Sequence, residues 1–334
     1  MLFRSSVDGD IDYVAGNTGL NTKYKTAPGH PELLFYGDLD GTGHPRIVEA
    51  KIGSPNGDAS DCLLPRRGFS CSSQAMPFLR QKMGTFTNFA SSSLEQIYTP
   101  ERLAKARRFE ASTLESAVFL NDGEGHFTVH PLPRLAQISP VFGVVLTDFN
   151  ADGRTDCFLA QNFFSPQQET GAMDGGLSLL LEGAGDGTFQ PLWPLQSGLA
   201  IPGDAKSAAV ADLNEDGRPD LVLGVNQGPL QTFLSRGIAP AMQDHSPIRV
   251  RLRGTRGNPT AIGARVTVHI AGMPDQTAEI HAGGGYLSQD TPELFFGFGS
   301  AVAPTCEVAV RWPDGATTRH TLTREAAVAA TLGR

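Results

Sequence analysis

The sequence has 334 residues, 40% of them hydrophobic and 19% charged, which is the composition of a folded globular protein and not of a disordered chain. Its net charge of −8 argues against nucleic acid as a partner, because phosphate binding needs a basic surface. No apolar run reaches the roughly 18–20 residues of a membrane span, and the first residues lack the apolar core of a signal peptide.

Two incomplete acidic segments come first in the chain. They are compared with a nine-residue pattern, D-x-[DN]-x-D-G-x-x-D, that occurs intact further on. Residues 8–12 match only its last five positions, and residues 38–46 carry a threonine at position 5 and Arg46 at position 9. This arginine removes the closing carboxylate and brings a cation of its own to residues 38–46. Residues 8–12 lack the first half of the pattern. We expect structural turns in both segments. The weaker metal candidates in them are Asp8, Asp10, Asp12, Asp38, Asp40 and Thr42.

The four cysteines are too few to indicate a disulfide framework. Cys62 and Cys71 lie nine residues apart in a segment rich in serine, glycine and arginine. A local bridge between them and two free thiols are both compatible with the sequence.

The spacing of the acidic segments predicts an insertion. Asp38 and Asp148 are 110 residues apart, 46 more than the 64 residues that separate the two intact copies of the pattern. The excess matches residues 74–113, where Pro77 is placed to open a helix running towards Phe89, and Thr99-Pro100 is typical of a helix start. We therefore predict a helical insertion near 74–113.

The two intact copies of the pattern, residues 148–156 and 212–220, predict calcium sites. Ca²⁺ prefers six to eight oxygen ligands at about 2.3–2.6 Å, and side chains at positions 1, 3, 5 and 9 of a curled loop can converge on one ion. The glycine at position 6 permits the sharp turn, and position 7 can add a backbone carbonyl. An EF-hand is disfavoured, because each loop leads into a strand. The predicted ligands are Asp148, Asn150, Asp152, Arg154 and Asp156, and Asp212, Asn214, Asp216, Arg218 and Asp220.

Two similar hairpins accompany these loops. Residues 118–127 and residues 179–189 each consist of an apolar strand, a turn rich in glycine and acidic residues, and a closing phenylalanine. One acidic loop and one hairpin give a four-stranded unit of roughly 60 residues, the scale of a propeller blade. Residues 1–246 are therefore interpreted as propeller repeats, too few for a complete ring once the insertion is set aside.

The segment 247–334 changes character and predicts a separate β-rich domain. Apolar residues alternate with arginine from Ile248 onwards, which indicates a strand with one basic, solvated face. The same alternation returns at residues 266–270 and 308–312.

The acidic loops and hairpins resemble FG-GAP/VCBS repeats, which form propellers of the integrin-α type. The segments 253–266, 281–289 and 310–315 resemble the ASPIC/UnbV domain, which closes proteins similar to cartilage acidic protein; residues 71–78 also resemble long bacterial members of that group. The resemblance implies an all-β fold with an incomplete β-propeller and a C-terminal β-rich domain. It also implies a secreted, periplasmic or surface-associated protein, although no signal peptide is recognised in this chain.

These observations favour a non-catalytic, calcium-stabilised interaction or scaffold protein, and they are compatible with a subunit of a larger assembly. We expect a protein partner, or a second copy, to complete the propeller. The alternative is a carbohydrate-binding or carbohydrate-active protein that uses the propeller face, with a glycan as partner. Such an enzyme needs a cleft with paired carboxylates outside the calcium loops. No catalytic motif is present, and the histidines are scattered.

Overall fold

The computed structural model describes residues 2–3, 11–54, 61–236 and 245–334. Of the metal candidates, Asp8 and Asp10 lie outside these residues. The structure is mostly β, with several sheets and no closed barrel among the described residues, in agreement with the predicted class. No helix in this part of the chain is long and apolar enough to cross a membrane.

Short strands dominate because apolar alternation and glycine-rich turns follow each other closely along the sequence. The strands, in chain order, are β1 (Leu2–Phe3), β2 (Asp12–Ala15), β3 (Glu32–Gly37), β4 (Arg46–Gly53), β5 (Cys62–Pro65), β6 (Arg107–Ala111), β7 (Ala117–Asn121), β8 (Phe127–Pro131), β9 (Val141–Thr147), β10 (Asp156–Gln161), β11 (Leu179–Gly183), β12 (Phe189–Leu192), β13 (Ala205–Ala211), β14 (Asp220–Val225), β15 (Gln231–Phe233), β16 (Pro247–Arg253), β17 (Arg265–His269), β18 (Gln276–Glu279), β19 (Glu293–Gly297), β20 (Thr305–Arg311), β21 (Thr317–Thr323) and β22 (Ala330–Gly333).

Helices are short and concentrated in one stretch. They are α1 (Phe69–Ala75), α2 (Phe78–Met83), α3 (Phe86–Ala90), α4 (Leu94–Tyr98), α5 (Pro100–Lys105), α6 (Pro194–Ser197) and α7 (Arg324–Ala327), with a 3-10 turn at Arg134–Gln137.

The chain divides into two compact units. The first unit contains Met1–Asn21, Glu115–Phe164 and Met173–Arg334. The second unit contains Thr22–Leu114, which lies between β2 and β7 in the chain, and Ser165–Ala172, which lies between β10 and β11.

Three blade-like sheets in the described part of the chain belong to the first unit. The first blade has the strand order β1-β2-β7-β8, the second β9-β10-β11-β12, and the third β13-β14-β15. Neighbouring strands in each sheet are antiparallel. Both predicted hairpins are confirmed, as β7–β8 in the first blade and β11–β12 in the second. Apolar side chains between successive blades form two cores, which contain Val14, Cys157 and Leu159, and Phe158, Ile201 and Leu223.

The second unit corrects the interpretation of the long interval. The acidic loop at 38–46 connects β3 and β4 in a separate sheet of order β5-β4-β3-β6, and it is not the second of several serial blades. The 46-residue excess therefore arises because a whole unit, with its own sheet and helices, is inserted in the chain between β2 and β7, two strands of the first blade. Sequence spacing alone counts the nested loop as one of the repeats.

The predicted insertion at 74–113 is helical only in part. Helices cover Phe69–Lys105, whereas residues 107–111 form β6 beside β3. The helix predicted from Pro77 ends at Gly84, whose φ of 71° stops α2 in the left-handed manner typical of glycine. The predicted start at Thr99-Pro100 is confirmed, with Pro100 in the first turn of α5.

The C-terminal strands form two sheets, of order β19-β16-β22 and β18-β17-β20-β21. Ile248, Val250 and Leu252 of β16 point into their shared core, as the alternation predicts. The arginines between them are not all solvated: Arg251 is exposed, but the Arg249 side chain is only 14% exposed. The physical reason is an acidic partner on the third blade.

All four cysteines are free thiols, so the possible bridge between Cys62 and Cys71 is not formed.

The helices of the second unit are stabilised by packing more than by their own hydrogen bonds, because none exceeds seven residues. Leu79 of α2 is fully buried against the sheet core. Leu79→Ala is expected to lower the free energy of unfolding by about 2–5 kcal/mol, measured by urea denaturation. The matched control is Leu195→Ala in α6, where the leucine is fully exposed and a change within about 0.5 kcal/mol is expected. Equal effects of the two variants would contradict this packing account.

Candidate metal centre at the acidic loops

Three acidic loops are described in full: the second-blade loop (148–156), the third-blade loop (212–220) and the inserted-unit loop (38–46). In each, the carboxylate at position 1 accepts backbone N–H groups from positions 5 and 6. Asp148 Oδ2 accepts from Gly153 N at 2.8 Å, and Asp212 Oδ2 from Gly217 N at 2.9 Å. These bonds curl the loop, and the position-6 glycines adopt φ of 81° to 87°.

The carboxylate at position 9 joins two elements of its blade. Asp156 accepts from Phe149 N (3.0 Å) and from Gly183 N (3.0 Å), at the end of β11. Asp220 accepts from Leu213 N (2.8 Å) and from Ser235 N (2.8 Å), just after β15.

Asp12 does the same in the first blade, where it accepts from Asn121 N at 2.9 Å. All three position-9 aspartates are 2% exposed or less. The residues predicted to close the metal sites therefore also hold the blade strands together.

The second-blade loop buries negative charge without a basic partner. Asp148 and Asp156 are 5% and 2% exposed, and neither forms an ion pair in the described part of the chain. Burial, and then the neighbouring Asp152 carboxylate, raises the pKa of Asp148. Burial, and then Asp148, raises the pKa of Asp156 well above its usual range. Such carboxylates are suited to a bound cation.

Asn150 and Asp152 complete this group of oxygens. The Oδ1 atoms of Asp148 and Asn150 both lie near Asp152 N, at 3.1 and 3.0 Å, so they face the same point of the loop. Glu182 of β11 adds a carboxylate that accepts from Asn150 Nδ2 at 3.2 Å. The donor set is oxygen-rich and fits Ca²⁺ in kind.

The third-blade loop differs although its pattern is the same. Arg249 of β16 donates from Nη1 to Asp212 Oδ2 at 2.7 Å, and the Asp212 side chain is 0% exposed. Asp216 accepts from Asn214 Nδ2 at 2.9 Å and from Arg218 N at 2.9 Å. A basic side chain therefore already neutralises position 1 of this loop.

The inserted-unit loop also carries its own cation, as Arg46 at position 9 suggests. Arg46 Nε donates to Asp40 Oδ2 at 2.8 Å, and Thr42 Oγ1 donates to Asp40 Oδ1 at 2.6 Å. Burial alone pushes the pKa of Asp40 upward, but the hydrogen bonds from Thr42 and Arg46 outweigh it and lower this pKa to about 2. The loop is a neutralised turn, with Asp38 binding the backbone N–H groups of Gly41, Thr42 and Gly43.

Within the described ranges, no three His, Cys, Asp or Glu side chains gather closely enough to hold a metal by themselves. The position-9 aspartates face backbone N–H groups, and any metal site in the second-blade loop would need Asn150 as well as the carboxylates. The metal-ligand role of the Arg154 and Arg218 carbonyls stays a prediction from the sequence.

The C-terminal domain contacts the blades within the first unit. Ser288 Oγ donates to Ala208 O at 2.7 Å, and Asp290 Oδ1 accepts from Val210 N at 2.9 Å. Thr291 N donates to Val210 O at 3.1 Å, so the segment 288–291 lies along the edge of β13. Burial raises the pKa of Asp290.

A cavity of about 500 Å³ lies beside this interface, where the second-blade loop faces β18 and β19. Its lining includes Asp148, Asp152, Met273, Glu279, Asp290 and Phe296.

The sequence reasoning missed four residues that shape these sites: Arg249, Glu182, Ser288 and Asp290. Ser288 and Asp290 lie in or next to the segment 281–289, which resembles the ASPIC/UnbV domain, but no local sequence pattern indicates the contact of this segment with β13. The alternation in β16 predicts a solvated face for Arg249, because an alternating pattern does not indicate which other part of the protein packs against that face.

Comparisons with known proteins match two parts of the chain. The family described as ASPIC and UnbV matches residues 254–327, and an FG-GAP-like repeat family matches residues 165–223. The chain is therefore a protein with FG-GAP-like repeats and a C-terminal ASPIC/UnbV domain.

The same comparisons give two curated relatives. The chain is 28% identical over 187 residues to cartilage acidic protein 1 of Homo sapiens, covering 55% of this chain and 26% of that protein. The chain is also 28% identical over 187 residues to cartilage acidic protein 1 of Mus musculus, and the match covers 55% of this chain and 27% of that protein. The chain thus spans about a quarter of the length of these relatives.

The position-9 aspartates should stabilise the blades independently of any metal. Asp220→Ala leaves the N–H groups of Leu213 and Ser235 without their acceptor, so its free energy of unfolding in excess chelator should fall by about 2–4 kcal/mol. The control is Asp186→Ala, in the exposed turn of the β11–β12 hairpin, for which a fall below about 1 kcal/mol is expected. A cost of Asp220→Ala that disappears in chelator would assign the residue to metal binding alone.

Proposed function

We propose that this chain is a non-catalytic interaction protein of the extracellular type, whose blades are stabilised by Ca²⁺ and whose first blade binds a protein partner or a second copy. The two matched families support an interaction role. The single observation that carries the proposal is an apolar row on an outer face of the first blade.

The row consists of Tyr13, Phe119, Phe127 and Val129. Tyr13 pairs with Phe119, and Phe119 pairs with Val129, so these side chains share one face of the sheet. Tyr13 and Phe127 pack edge to face with ring centroids 5.3 Å apart. Tyr13, Phe127 and Val129 are 39%, 42% and 52% exposed, which is unusual for a contiguous apolar face.

Propeller blades normally bury both faces against neighbours, and propellers contain about four to eight blades. The first unit has three blade-like sheets among its described residues. An apolar outer face on the first blade therefore suits a further blade or a partner, supplied from outside the described chain.

The second-blade loop is the proposed Ca²⁺ site. Asp148, Asn150 and Asp152 would supply side-chain oxygens, with Asp156 and the Arg154 carbonyl as the ligands that the pattern predicts. The ion would neutralise the buried carboxylates, whose mutual repulsion otherwise opposes folding. It would thus fix the connection of β9 to β10.

An enzymatic role is not favoured by the carboxylates outside the loops. Asp290 lies in the cavity and its pKa is raised, but its Oδ1 binds Val210 N and so joins the C-terminal domain to β13. The carbohydrate-binding alternative stays a prediction from the sequence.

Removing calcium is expected to destabilise the protein. At a calcium concentration a hundredfold above Kd, one site contributes about 2.7 kcal/mol, so chelation should lower the melting temperature measured by calorimetry. Asp152→Asn removes the charge of a proposed ligand and should reduce this response. Asp152 is half-buried and is not one of the position-9 residues that join the strands, so the substitution tests metal binding and not strand pairing. Asp186→Asn, in an exposed turn, serves as the matched control and should respond like the wild type. An identical melting temperature with and without chelator would refute the proposed site.

The apolar row predicts association through the first blade. Val129→Asp places a charge in this row, on the edge strand β8, and should abolish any concentration-dependent increase in sedimentation coefficient. Val302→Asp, at a 94% exposed position of the C-terminal domain, should leave sedimentation unchanged. A wild-type protein that sediments as a monomer at every concentration would exclude a second copy, and a partner that binds Val129→Asp as tightly as the wild type would contradict the assigned surface.

A further inference from the structure

We infer that Arg249 takes the place of a metal ion at the third-blade loop, so that this loop binds the C-terminal domain and is not a second calcium site. This inference refines the proposed function, and it rests on that proposal in using the second-blade loop as the metal-binding reference.

The contact between Arg249 and Asp212 is short and shielded from solvent. Nη1 lies 2.7 Å from Asp212 Oδ2, with side chains 14% and 0% exposed. The same nitrogen is 3.8 Å from Glu293 Oε1 on the adjacent strand β19, and the Glu293 side chain is 3% exposed. The guanidinium is therefore held between one carboxylate of the blade and one of the C-terminal domain.

The other hydrogen bonds at position 1 repeat those of the second-blade loop, so Arg249 is what distinguishes Asp212 from Asp148. Asp212 Oδ1 accepts from Asp216 N at 3.0 Å, and Asp212 Oδ2 accepts from Gly217 N in addition to Arg249. Asp220 binds two backbone N–H groups. A calcium ion bound to Asp212 would lie about 2.3–2.6 Å from its oxygen, within a few ångströms of the guanidinium. Two cations so close together repel, so the ion and Arg249 exclude each other at this carboxylate.

The position of Arg249 follows from the register of β16. Ile248 and Val250 are fully buried in the C-terminal core, so the residue between them must point to the opposite face. That face meets the third blade, where the position-6 glycine has no side chain: a Cβ on Gly217 would lie 2.7 Å from Val328 Cγ1. The close approach brings Arg249 to Asp212.

The second-blade loop provides the contrast. It has the same residue types at positions 1, 3, 5, 6 and 9, and it also contacts the C-terminal domain, since Gly299 N donates to Ala151 O at 3.0 Å. None of the ion pairs found in the described part of the chain involves its carboxylates. Arg46 in the inserted-unit loop shows that this chain uses arginine against such a loop elsewhere. Identical patterns therefore receive different cations.

The test is the number of Ca²⁺ ions bound per full-length chain, measured by isothermal titration calorimetry and checked by terbium luminescence. Arg249→Gln is expected to bind one more ion than the wild type, because Asp212 is released. Arg251→Gln is the matched control. Arg251 lies on β16, as Arg249 does, and it also pairs with Glu293 of β19. Its side chain is 57% exposed, and it forms no ion pair with Asp212 among the described residues. It should bind the wild-type number.

Asp212→Asn gives an independent readout in two backgrounds. In the wild type it should leave the number of bound ions unchanged, and in Arg249→Gln it should remove the additional ion. A folded Arg249→Gln protein, verified by circular dichroism, with the wild-type number of ions would overturn the inference. If Asp212→Asn in the wild-type background binds one ion fewer than the wild type, the inference is also overturned. This measurement tests the inference even if Arg249→Gln does not fold.

Failure of the proposed calcium site gives a different result. Asp152→Asn tests the second-blade loop alone, and an unchanged number of ions in that variant counts against the proposed function without bearing on Arg249.

Discussion

The burial of carboxylates between blade strands is the constraint on which this structure depends. Asp12, Asp156 and Asp220 lie almost fully buried, and each accepts backbone N–H groups from a loop or strand end of its own blade. Hydrogen bonds to a charged acceptor are strong, and a buried N–H group without an acceptor is costly. The same residues therefore close the loops and align the sheets, and the negative charge that they bring must be balanced nearby.

The chain balances that charge in different ways at its loops. Arg46 pairs with Asp40 inside one loop, and Arg249 reaches Asp212 from the C-terminal domain. The second-blade loop has neither, and its buried Asp148 is the group best suited to a metal ion. A repeated pattern thus specifies a backbone conformation more firmly than it specifies a ligand. The turn depends on N–H groups within the loop, whereas the cation depends on which residues of other elements pack against the loop.

The nested second unit shows how an insertion can leave a blade intact. The first blade is interrupted between β2 and β7, yet Val14 still pairs with Val118 across the 93 residues that form the larger segment of the second unit. A loop whose ends lie close together costs little more in entropy when it is long, and a segment with its own core contributes its own stability. The blade's exposed apolar row lies on the sheet that this insertion interrupts.

The sequence by itself determined the strands, the hairpins, the curled acidic loops and the C-terminal alternation, because turn glycines and apolar periodicity act over a few residues. It also placed Asp148, Asn150 and Asp152 on one loop. Only the tertiary structure decided that residues 38–46 belong to a nested sheet and that Arg249 faces Asp212. These facts depend on which surfaces meet, and a contact between residues 37 positions apart leaves no trace in either local pattern.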